Sequence, residues 1–238
     1  MENSVMRLKE WTDSASRIVF FGGAGVSTES GIPDFRGSGG LYTRREQIPP
    51  EEIISHGFFV RHTAQFYEFY RRCMLYPDAQ PNAAHRKLAE WEAQGKLLAV
   101  ITQNIDGLHQ KAGSKRVYEL HGSVLRNTCM KCGRRYGLEA VIEGGDVPRC
   151  ECGGLIKPDV VLYGENLDMD VMEGAIDAIR QCDLFIIGGT SLTVWPAAGL
   201  IDYAAGKRVC LINRDPTPMD GRAGLVIHEG IAGVMKCL

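Results

Sequence analysis

The sequence lacks an apolar run of about 18 or more residues, the length that a transmembrane helix needs. It also lacks the core of a signal peptide, since residues 1–17 carry charges throughout and the apolar run at 18–21 is too short. We therefore expect a cytoplasmic protein that does not associate with membranes. No internal repeat and no low-complexity segment is present either.

An excess of charge of one sign is also missing. Lys and Arg number 27 and Asp and Glu number 29, so the formal net charge is −2. A surface for nucleic acid needs an excess of positive charge, so we expect no specific nucleic-acid partner. The chain has 238 residues, of which 45% are hydrophobic and 24% charged. This composition excludes disorder, collagen-like repeats and a coiled coil, and the length predicts one large domain or one domain with an inserted module.

Eight cysteines in a reducing compartment indicate metal or redox chemistry rather than disulfides. Four of them form the pairs Cys129-x-x-Cys132 and Cys150-x-Cys152, a spacing typical of a zinc ribbon with four thiolates around a tetrahedral ion. Such a site has no open coordination position, so its zinc would be structural. The alternative is four reduced cysteines in a core. The remaining cysteines are expected to pack as small hydrophobic side chains: Cys73, Cys182, Cys210 and Cys237.

Short apolar runs rich in β-branched residues alternate with segments typical of helices. Runs without a polar side indicate strands that are buried on both faces, as in a parallel sheet. They lie at residues 17–21, 97–102, 117–120, 183–187, 208–212 and 224–228. Helices are predicted at 83–94, 170–182 and 197–205. The pattern predicts an α/β fold with a doubly wound, Rossmann-like parallel sheet that binds ligands at the carboxyl ends of its strands.

Two stretches interrupt this alternation, and we interpret both as insertions. We predict a Rossmann-like domain made of residues 1–37, 82–126 and 156–238. A helical insertion at 38–81 and a zinc-binding module at 127–155 would together form a smaller lobe.

A glycine motif, Gly-Gly-Ala-Gly-Val-Ser at residues 22–27, directly follows the first predicted strand. Glycines there let backbone N–H groups approach a pyrophosphate, and a helix N-terminus adds positive potential. The third glycine of the dehydrogenase fingerprint is missing because Thr28 stands in its place, and no acidic residue closes the second strand. Taken alone, the motif leaves a plain tight turn open as an alternative.

Polar motifs also follow the other predicted strands or the glycine motif itself. They are Gly-Ile-Pro-Asp-Phe-Arg-Gly at 31–37, Thr-Gln-Asn-Ile-Asp-Gly-Leu-His at 102–109, Glu-Leu-His-Gly-Ser at 119–123, Gly-Gly-Thr-Ser-Leu at 188–192, and Asn213. Because the carboxyl ends of parallel strands meet at one edge of a sheet, we expect these motifs to converge on one crevice.

Taken together, the motifs resemble the signature set of the sirtuins, which are NAD-dependent protein deacylases. The resemblance rests on residues 23–27, 31–37, 102–109, 119–122 and 189–192, with the cysteine pairs between the fourth and fifth of these. It covers about 8–234 and is greatest to bacterial members with a minimal catalytic core. It implies a protein-lysine deacetylase that transfers the acetyl group to ADP-ribose and releases nicotinamide and O-acetyl-ADP-ribose, with NAD as co-substrate and zinc as a structural ion.

The resemblance also implies roles for individual residues. His121 matches the family's general base, and Asn104 the contact to the ribose and the catalytic water. Phe35 matches the ring that shields the reaction centre. The NAD contacts implied in this way are Ala24, Gly25, Ser27, Thr28, Phe35, Arg36, Gln103, Ile105, Asp106, His121, Thr190, Ser191, Asn213 and Ile231. His85 and His109 are expected to be structural.

Residues 160–165 resemble the family's peptide-binding strand, to which the substrate adds a β-strand of its own. The substrate contacts implied there are Val161, Leu162, Tyr163 and Gly164. We accordingly expect acetylated proteins or peptides as partners, and a monomeric chain.

The acyl preference depends on the helical insertion. Relatives that favour acidic acyl groups carry a Tyr there and an Arg three residues later, whereas the aligned pair in this chain is Tyr67 and Tyr70. Arg71 is one position away, which is about 100° around a helix. Without a guanidinium there is no bidentate partner for an acyl carboxylate, so we predict acetyl or another neutral acyl group over succinyl.

Four other functions are alternatives to deacetylation. Two use the same site: transfer of ADP-ribose to protein, and removal of longer neutral acyl groups. The third is a silent NAD sensor or zinc-ribbon binding module, which the intact Asn104, Asp106 and His121 disfavour. The fourth is a nicotinamide-dependent dehydrogenase, which the incomplete glycine fingerprint disfavours.

Overall fold

The computed structural model describes residues 2–35, 37, 40–43 and 48–238, so Arg36 lies outside the described residues. Its α-helices are α1 (Glu2–Ser14), α2 (Pro50–Ile53), α3 (His56–Arg61), α4 (Thr63–Cys73), α5 (Ala83–Ala93), α6 (Leu108–Lys111), α7 (Glu139–Ile142), α8 (Met169–Gln181) and α9 (Ile231–Met235). Its strands are β1 (Ile18–Gly22), β2 (Leu97–Thr102), β3 (Val117–Glu119), β4 (Gly122–Cys129), β5 (Arg135–Tyr136), β6 (Ile156–Val160), β7 (Leu184–Gly188), β8 (Arg208–Ile212) and β9 (Leu225–Ile227). Short 3₁₀ helices lie at Ala24–Val26, Thr28–Ser30, Leu41–Thr43, Ala197–Ala204 and Asp220–Arg222.

The central sheet has six parallel strands in the order β3-β2-β1-β7-β8-β9. The chain proceeds outward from β1 to β3 on one side and from β7 to β9 on the other, so the strand order reverses between β1 and β7. The last residues of these two strands are paired, Gly22 with Gly188. This is the doubly wound order, with its ligand crevice at the point of reversal, and it confirms the predicted fold.

Helices cover both faces of the sheet, which explains why its strands are continuous apolar runs. Every residue of β1 and β7 is buried. Helices α1, α5 and α9 pack on one face around Phe20 and Leu88, and α8 packs on the other around Phe21 and Ile179. Burial of one such side chain stabilises the fold by about 1.5–3 kcal/mol, so alternating polar residues in these strands would be costly.

The segment predicted as a helix at 197–205 is helical, but it is the 3₁₀ helix Ala197–Ala204. Its buried residues are Ala197, Ala198, Leu200, Ile201 and Ala204. Three of them, Ala198, Ile201 and Ala204, are spaced three residues apart. A 3₁₀ helix has about three residues per turn, so these three side chains lie above one another on one face.

The smaller lobe combines a three-stranded antiparallel sheet, in the order β5-β4-β6, with helices α2, α3, α4 and α7. Aromatic side chains of α3 and α4 form its core, where Phe59, Phe66 and Tyr67 contact one another edge to face. The domain limits given above stay predictions. Among the described residues, no helix combines the length and the apolar character that crossing a membrane would require.

Candidate active site

A crevice of about 1310 Å³ opens between the two lobes, at the carboxyl ends of β1, β2, β3, β7 and β8. Loops that follow these strands form one wall, and helix α4 with residues 160–165 forms the other. The polar motifs predicted to converge do meet here. The predicted site residues that line the crevice are Ala24, Gly25, Ser27, Thr28, Phe35, Tyr70, Gln103, Asn104, Ile105, Asp106, His121, Val161, Leu162, Tyr163, Gly164, Thr190, Ser191, Asn213 and Ile231.

The two glycine motifs pack backbone to backbone at the base of the crevice. The Gly25 N–H donates to the Gly189 carbonyl oxygen at 2.8 Å. A Cβ on Gly25 would lie 2.7 Å from the Gly189 Cα, and one on Gly189 would lie 2.5 Å from the Val26 nitrogen. Only glycine allows this approach, and it leaves a cradle without side chains. Such a surface fits the pyrophosphate of a dinucleotide, which must contact the backbone directly.

A chain of hydrogen bonds links Asn104, Ser27 and Asp106. The Asn104 Nδ2 donates to the Ser27 Oγ at 3.0 Å, and that hydroxyl donates to the Asp106 Oδ2 at 2.6 Å. The other Asp106 oxygen accepts from the Leu108 N–H at 2.9 Å. Burial raises the pKa of the Asp106 carboxyl, and the hydrogen bonds from Ser27 and Leu108 act in the opposite direction. Each of the three side chains is thus held by a hydrogen bond to another of them before any ligand binds.

His121 lies two residues after the end of β3 at Glu119. Its Nδ1 lies 3.0 Å from the Gln103 carbonyl oxygen, which can only accept, so Nδ1 carries the proton and Nε2 keeps a free lone pair. Burial lowers the pKa of the His121 imidazole, against the opposing effect of this hydrogen bond. A Cβ on Gly122 would lie 1.9 Å from the Asp159 carbonyl oxygen. The glycine after the histidine is thus required by close contact with the neighbouring strand.

The loops after β7 and β8 form another part of the crevice wall. The Thr190 Oγ1 accepts from the Gln103 Nε2 at 3.0 Å, which ties this loop to the one after β2. The Ser191 Oγ lies 2.8 Å from the Thr193 Oγ1, and the Asn213 Nδ2 donates to the Asp215 carbonyl oxygen at 2.7 Å. Helix α9 begins at Ile231, which also lines the crevice. These groups offer hydroxyl and amide partners to a polar ligand.

The two tyrosines of helix α4 lie in different surroundings: Tyr70 lines the crevice and Tyr67 lies in the core. Tyr67 is not among the lining residues, and its hydroxyl donates to the Ile156 carbonyl oxygen. Tyr70 does line the crevice, and among the described residues its buried hydroxyl has no hydrogen-bond partner. Burial raises the pKa of Tyr70, so the hydroxyl stays protonated and can donate.

Arg71 is directed away from the crevice. Its Nε donates to the Val141 carbonyl oxygen at 2.8 Å, and its Nη atoms donate to the carbonyl oxygens of Gly145 and Asp146. Its guanidinium also lies over the Tyr67 ring. The guanidinium is therefore committed to the backbone of residues 141–146.

Two further contacts lie near residues 160–165. The Tyr42 hydroxyl lies 2.9 Å from the Tyr163 hydroxyl across the crevice. The Glu165 Oε2 accepts from the Leu162 N–H at 2.9 Å and from the Lys157 Nζ at 3.1 Å, which closes the turn after the segment. Glu165 is the last residue of the 160–165 motif, whereas no pattern in the sequence indicates Tyr42.

The four predicted zinc ligands lie together. Their sulfur atoms are all within 4.8 Å of one another, and the pairs Cys129–Cys152 and Cys132–Cys150 are both 3.6 Å apart. Thiolates bound tetrahedrally at about 2.3 Å from zinc stand about 3.8 Å apart, so the cluster fits this ion. The Tyr136 hydroxyl donates to the Cys150 sulfur at 3.0 Å, an outer contact that orients the ligand.

Comparison with known proteins agrees with this geometry. The model of the Sir2 family matches residues 23–196. A protein of Clostridium acetobutylicum named NAD-dependent protein deacetylase is 54% identical over 238 residues, covering 98% of this chain and 97% of the relative. A protein of the same name from Cutibacterium acnes is 49% identical over 234 residues, covering 98% and 96%.

Solved structures give the same result. A Sir2 variant described with a deacetylated p53 peptide and 3′-O-acetyl-ADP-ribose matches with a TM-score of 0.91 at 38% identity, covering 98% of this chain and 96% of that one. Sir2 described with a p53 peptide and NAD⁺ matches with a TM-score of 0.87 at 38% identity, covering 97% and 95%. The family match extends over most of the chain, including the cradle, His121 and the cysteine cluster, and the chain therefore belongs to the Sir2 family.

Proposed function

We propose that the protein is an NAD-dependent protein-lysine deacetylase, which transfers an acetyl group from lysine to ADP-ribose and releases nicotinamide. The observation that carries this proposal is the placement of His121, with a free Nε2 lone pair, in the same crevice as the glycine cradle and the hydrogen-bonded Asn104, Ser27 and Asp106. Relatives over nearly the whole chain carry the name of this activity.

The crevice residues fit NAD along its length. The cradle at Ala24 and Gly25 would hold the pyrophosphate, together with the hydroxyl of Thr28. Asn104 and Asp106 would hold the nicotinamide end. When bound, NAD supplies the ribose carbon that the acyl oxygen attacks, the nicotinamide leaving group and the hydroxyl groups that receive the acetyl group. The adenosine half would meet the loops after β7 and β8, at Thr190, Ser191, Asn213 and Ile231.

His121 would act as the general base through Nε2, taking a proton from a ribose hydroxyl. The Gln103 carbonyl oxygen then faces the Nδ1–H of an imidazolium and stabilises its positive charge. Because burial lowers the pKa of His121, the imidazole is in the free-base form near neutral pH. Both effects come from the fold and precede binding of either substrate.

The acetylated peptide would lie along residues 161–164, at the mouth of the crevice. The Val161 N–H donates to the His121 carbonyl oxygen at 3.0 Å, so the peptide-binding segment and the base share one backbone contact. An acyl-lysine entering beside Val161 would therefore be delivered next to His121. Recognition through backbone hydrogen bonds selects weakly for sequence, so many acetylated proteins or peptides would be accepted. Monomeric state, absence of a nucleic-acid partner and cytoplasmic location stay predictions.

Mass spectrometry of an acetyl-lysine peptide tests this function. The peptide is incubated with the purified, zinc-loaded protein, with and without NAD. We expect loss of the acetyl group only with NAD, with O-acetyl-ADP-ribose and nicotinamide formed in equal amounts. An unchanged peptide would contradict the proposal, and the added mass of ADP-ribose on peptide or enzyme would indicate ADP-ribosyl transfer instead.

A further inference from the structure

We infer that Asn82 is a positioning residue for NAD binding. Its side-chain oxygen caps helix α5, and its side-chain nitrogen donates hydrogen bonds to residues 26 and 30 of the proposed NAD-binding turn. The inference rests on the proposed function. Asn82 is buried outside the main crevice and does not line it. It acts through the segment of residues 24–30, which contains two short 3₁₀ helices and the site residue Ser27.

The oxygen of the Asn82 side chain belongs to the helix. Its Oδ1 accepts from the Ala84 N–H at 2.9 Å, and its backbone N–H donates to the His85 Nδ1 at 3.2 Å, so the two residues form a reciprocal cap. Leu88 and Trp91 anchor the helix in the core beneath the sheet. Asn82 is thus fixed to a rigid element.

The nitrogen of the same side chain belongs to the turn. Its Nδ2 donates to the Val26 carbonyl oxygen at 2.7 Å and to the Ser30 Oγ at 3.0 Å. These two partners lie on either side of Ser27, the centre of the hydrogen-bond chain with Asn104 and Asp106. Short 3₁₀ helices have poor hydrogen-bond geometry of their own, so these contacts from outside the segment stabilise the backbone on either side of Ser27.

Helix α5 also supports the other partner of Ser27. The rings of His85 and His109 lie 4.7 Å apart, and His109 is in helix α6, which begins two residues after Asp106. Burial lowers the pKa of His85 to about 4 and that of His109 well below its ordinary value. Both rings are therefore uncharged near neutral pH and pack together. One helix end thus supports both sides of the Ser27–Asp106 hydrogen bond.

Replacing the amide by a carboxylate separates the two roles of Asn82. Asn82→Asp keeps the cap, and its charge is favourable at a helix N-terminus. It removes both donated hydrogen bonds and places a negative oxygen against the Val26 carbonyl oxygen, so the turn loses its support. Asn82→Ser also keeps a capping oxygen and lacks the amide nitrogen, without adding charge.

Calorimetric titration with NAD measures the effect directly. We expect both variants to bind NAD about tenfold more weakly than the parent protein, with unchanged zinc content and peptide KM. Hydrogen exchange without NAD should be faster at the amides of residues 24–30 than in the parent protein, and unchanged in the core of α5. The matched control is Asp168→Ala, because Asp168 caps α8 through the N–H groups of Asp170 and Val171. This control should bind NAD as the parent protein does.

NAD affinity within about twofold of the parent value in folded Asn82→Asp and Asn82→Ser would overturn the inference. So would a uniform rise in exchange throughout the protein with equal loss of peptide and NAD affinity, since that is the result of a merely structural role. If Asn82→Asp does not fold, Asn82→Ser decides. Failure of the parent protein to bind NAD would instead contradict the proposed function, and the exchange of residues 24–30 would still test the contact.

Discussion

The Nδ1 of His121 lies 3.0 Å from the carbonyl oxygen of Gln103. The partner of this imidazole is therefore a backbone atom, and it belongs to the residue directly before Asn104. The Gln103 N–H in turn donates to the Gly22 carbonyl oxygen at 2.9 Å, so β1 and the loop after β2 together fix that backbone. The orientation of the imidazole is set by the sheet rather than by a second side chain.

Removal of the imidazole should abolish most turnover while leaving the fold intact. We expect His121→Ala to lower kcat about 100- to 10,000-fold, the range of general acid–base catalysis, with the NAD affinity little changed. Mass spectrometry of the acetyl peptide and NAD calorimetry measure the two quantities. The matched control is His62→Ala, an exposed histidine whose loss should not change kcat. Full turnover by His121→Ala would exclude this residue as the base.

The pH profile should report the buried imidazole. Burial places the pKa of His121 in the folded protein below the ordinary value of 6.5. The general base proposed here acts in its neutral form. The value of kcat/KM should therefore stay level as pH falls from about 8 to about 6.5, and decrease only below that. Steady-state rates across this pH range, corrected for any loss of folded protein, test the direction of the pKa shift. A midpoint at or above the ordinary histidine pKa would show that burial does not control the base.

Zinc should be a structural ion that is required for the stability of the fold. We expect Cys150→Ser to lose most of the bound metal and to lower the melting temperature, because a structural tetrahedral zinc site needs all four thiolates. Metal analysis and calorimetric melting of the purified protein measure both effects. Cys237→Ser is the control, since Cys237 is exposed and is not a member of the cluster. Equal metal content in Cys150→Ser would argue against the four-cysteine site.

Acetyl should be preferred to succinyl. The Tyr70 hydroxyl lines the crevice as a neutral donor, and Arg71 contacts carbonyl oxygens of the 141–146 segment, so the Arg71 guanidinium does not meet an acyl carboxylate. We expect kcat/KM for an acetyl peptide at least about tenfold above that for the matched succinyl peptide, which is the cost of a buried unpaired charge. Arg71→Ala should lower stability without changing this ratio. Equal or faster desuccinylation by the parent protein would refute the prediction.

Much of the fold and of the site follows from local patterns. The apolar runs predict the strands of the central sheet because strands buried on both faces are mostly apolar, and all six runs form that sheet. The cysteine spacing predicts the cluster because both pairs are short enough to place two sulfurs beside one ion. The motifs predict convergence because parallel strands end at one edge.

The direction of individual side chains does not follow from such patterns. Tyr67 and Tyr70 are neighbours on one helix, yet Tyr67 turns to the Ile156 carbonyl oxygen and only Tyr70 reaches the crevice. The contact of Asn82 with Val26 joins residues that are far apart in sequence. Neither spacing nor composition contains this information, because it depends on which surfaces pack together.

The sequence by itself thus determined the strand pattern, the four-cysteine cluster and the identity of the polar residues, all of which depend on residue type and near-neighbour spacing. Only the tertiary structure decided that Gly25 meets Gly189, that the Gln103 carbonyl oxygen orients His121, and that α5 supports the turn around Ser27. These contacts join distant segments. They exist only once the sheet and its covering helices have packed.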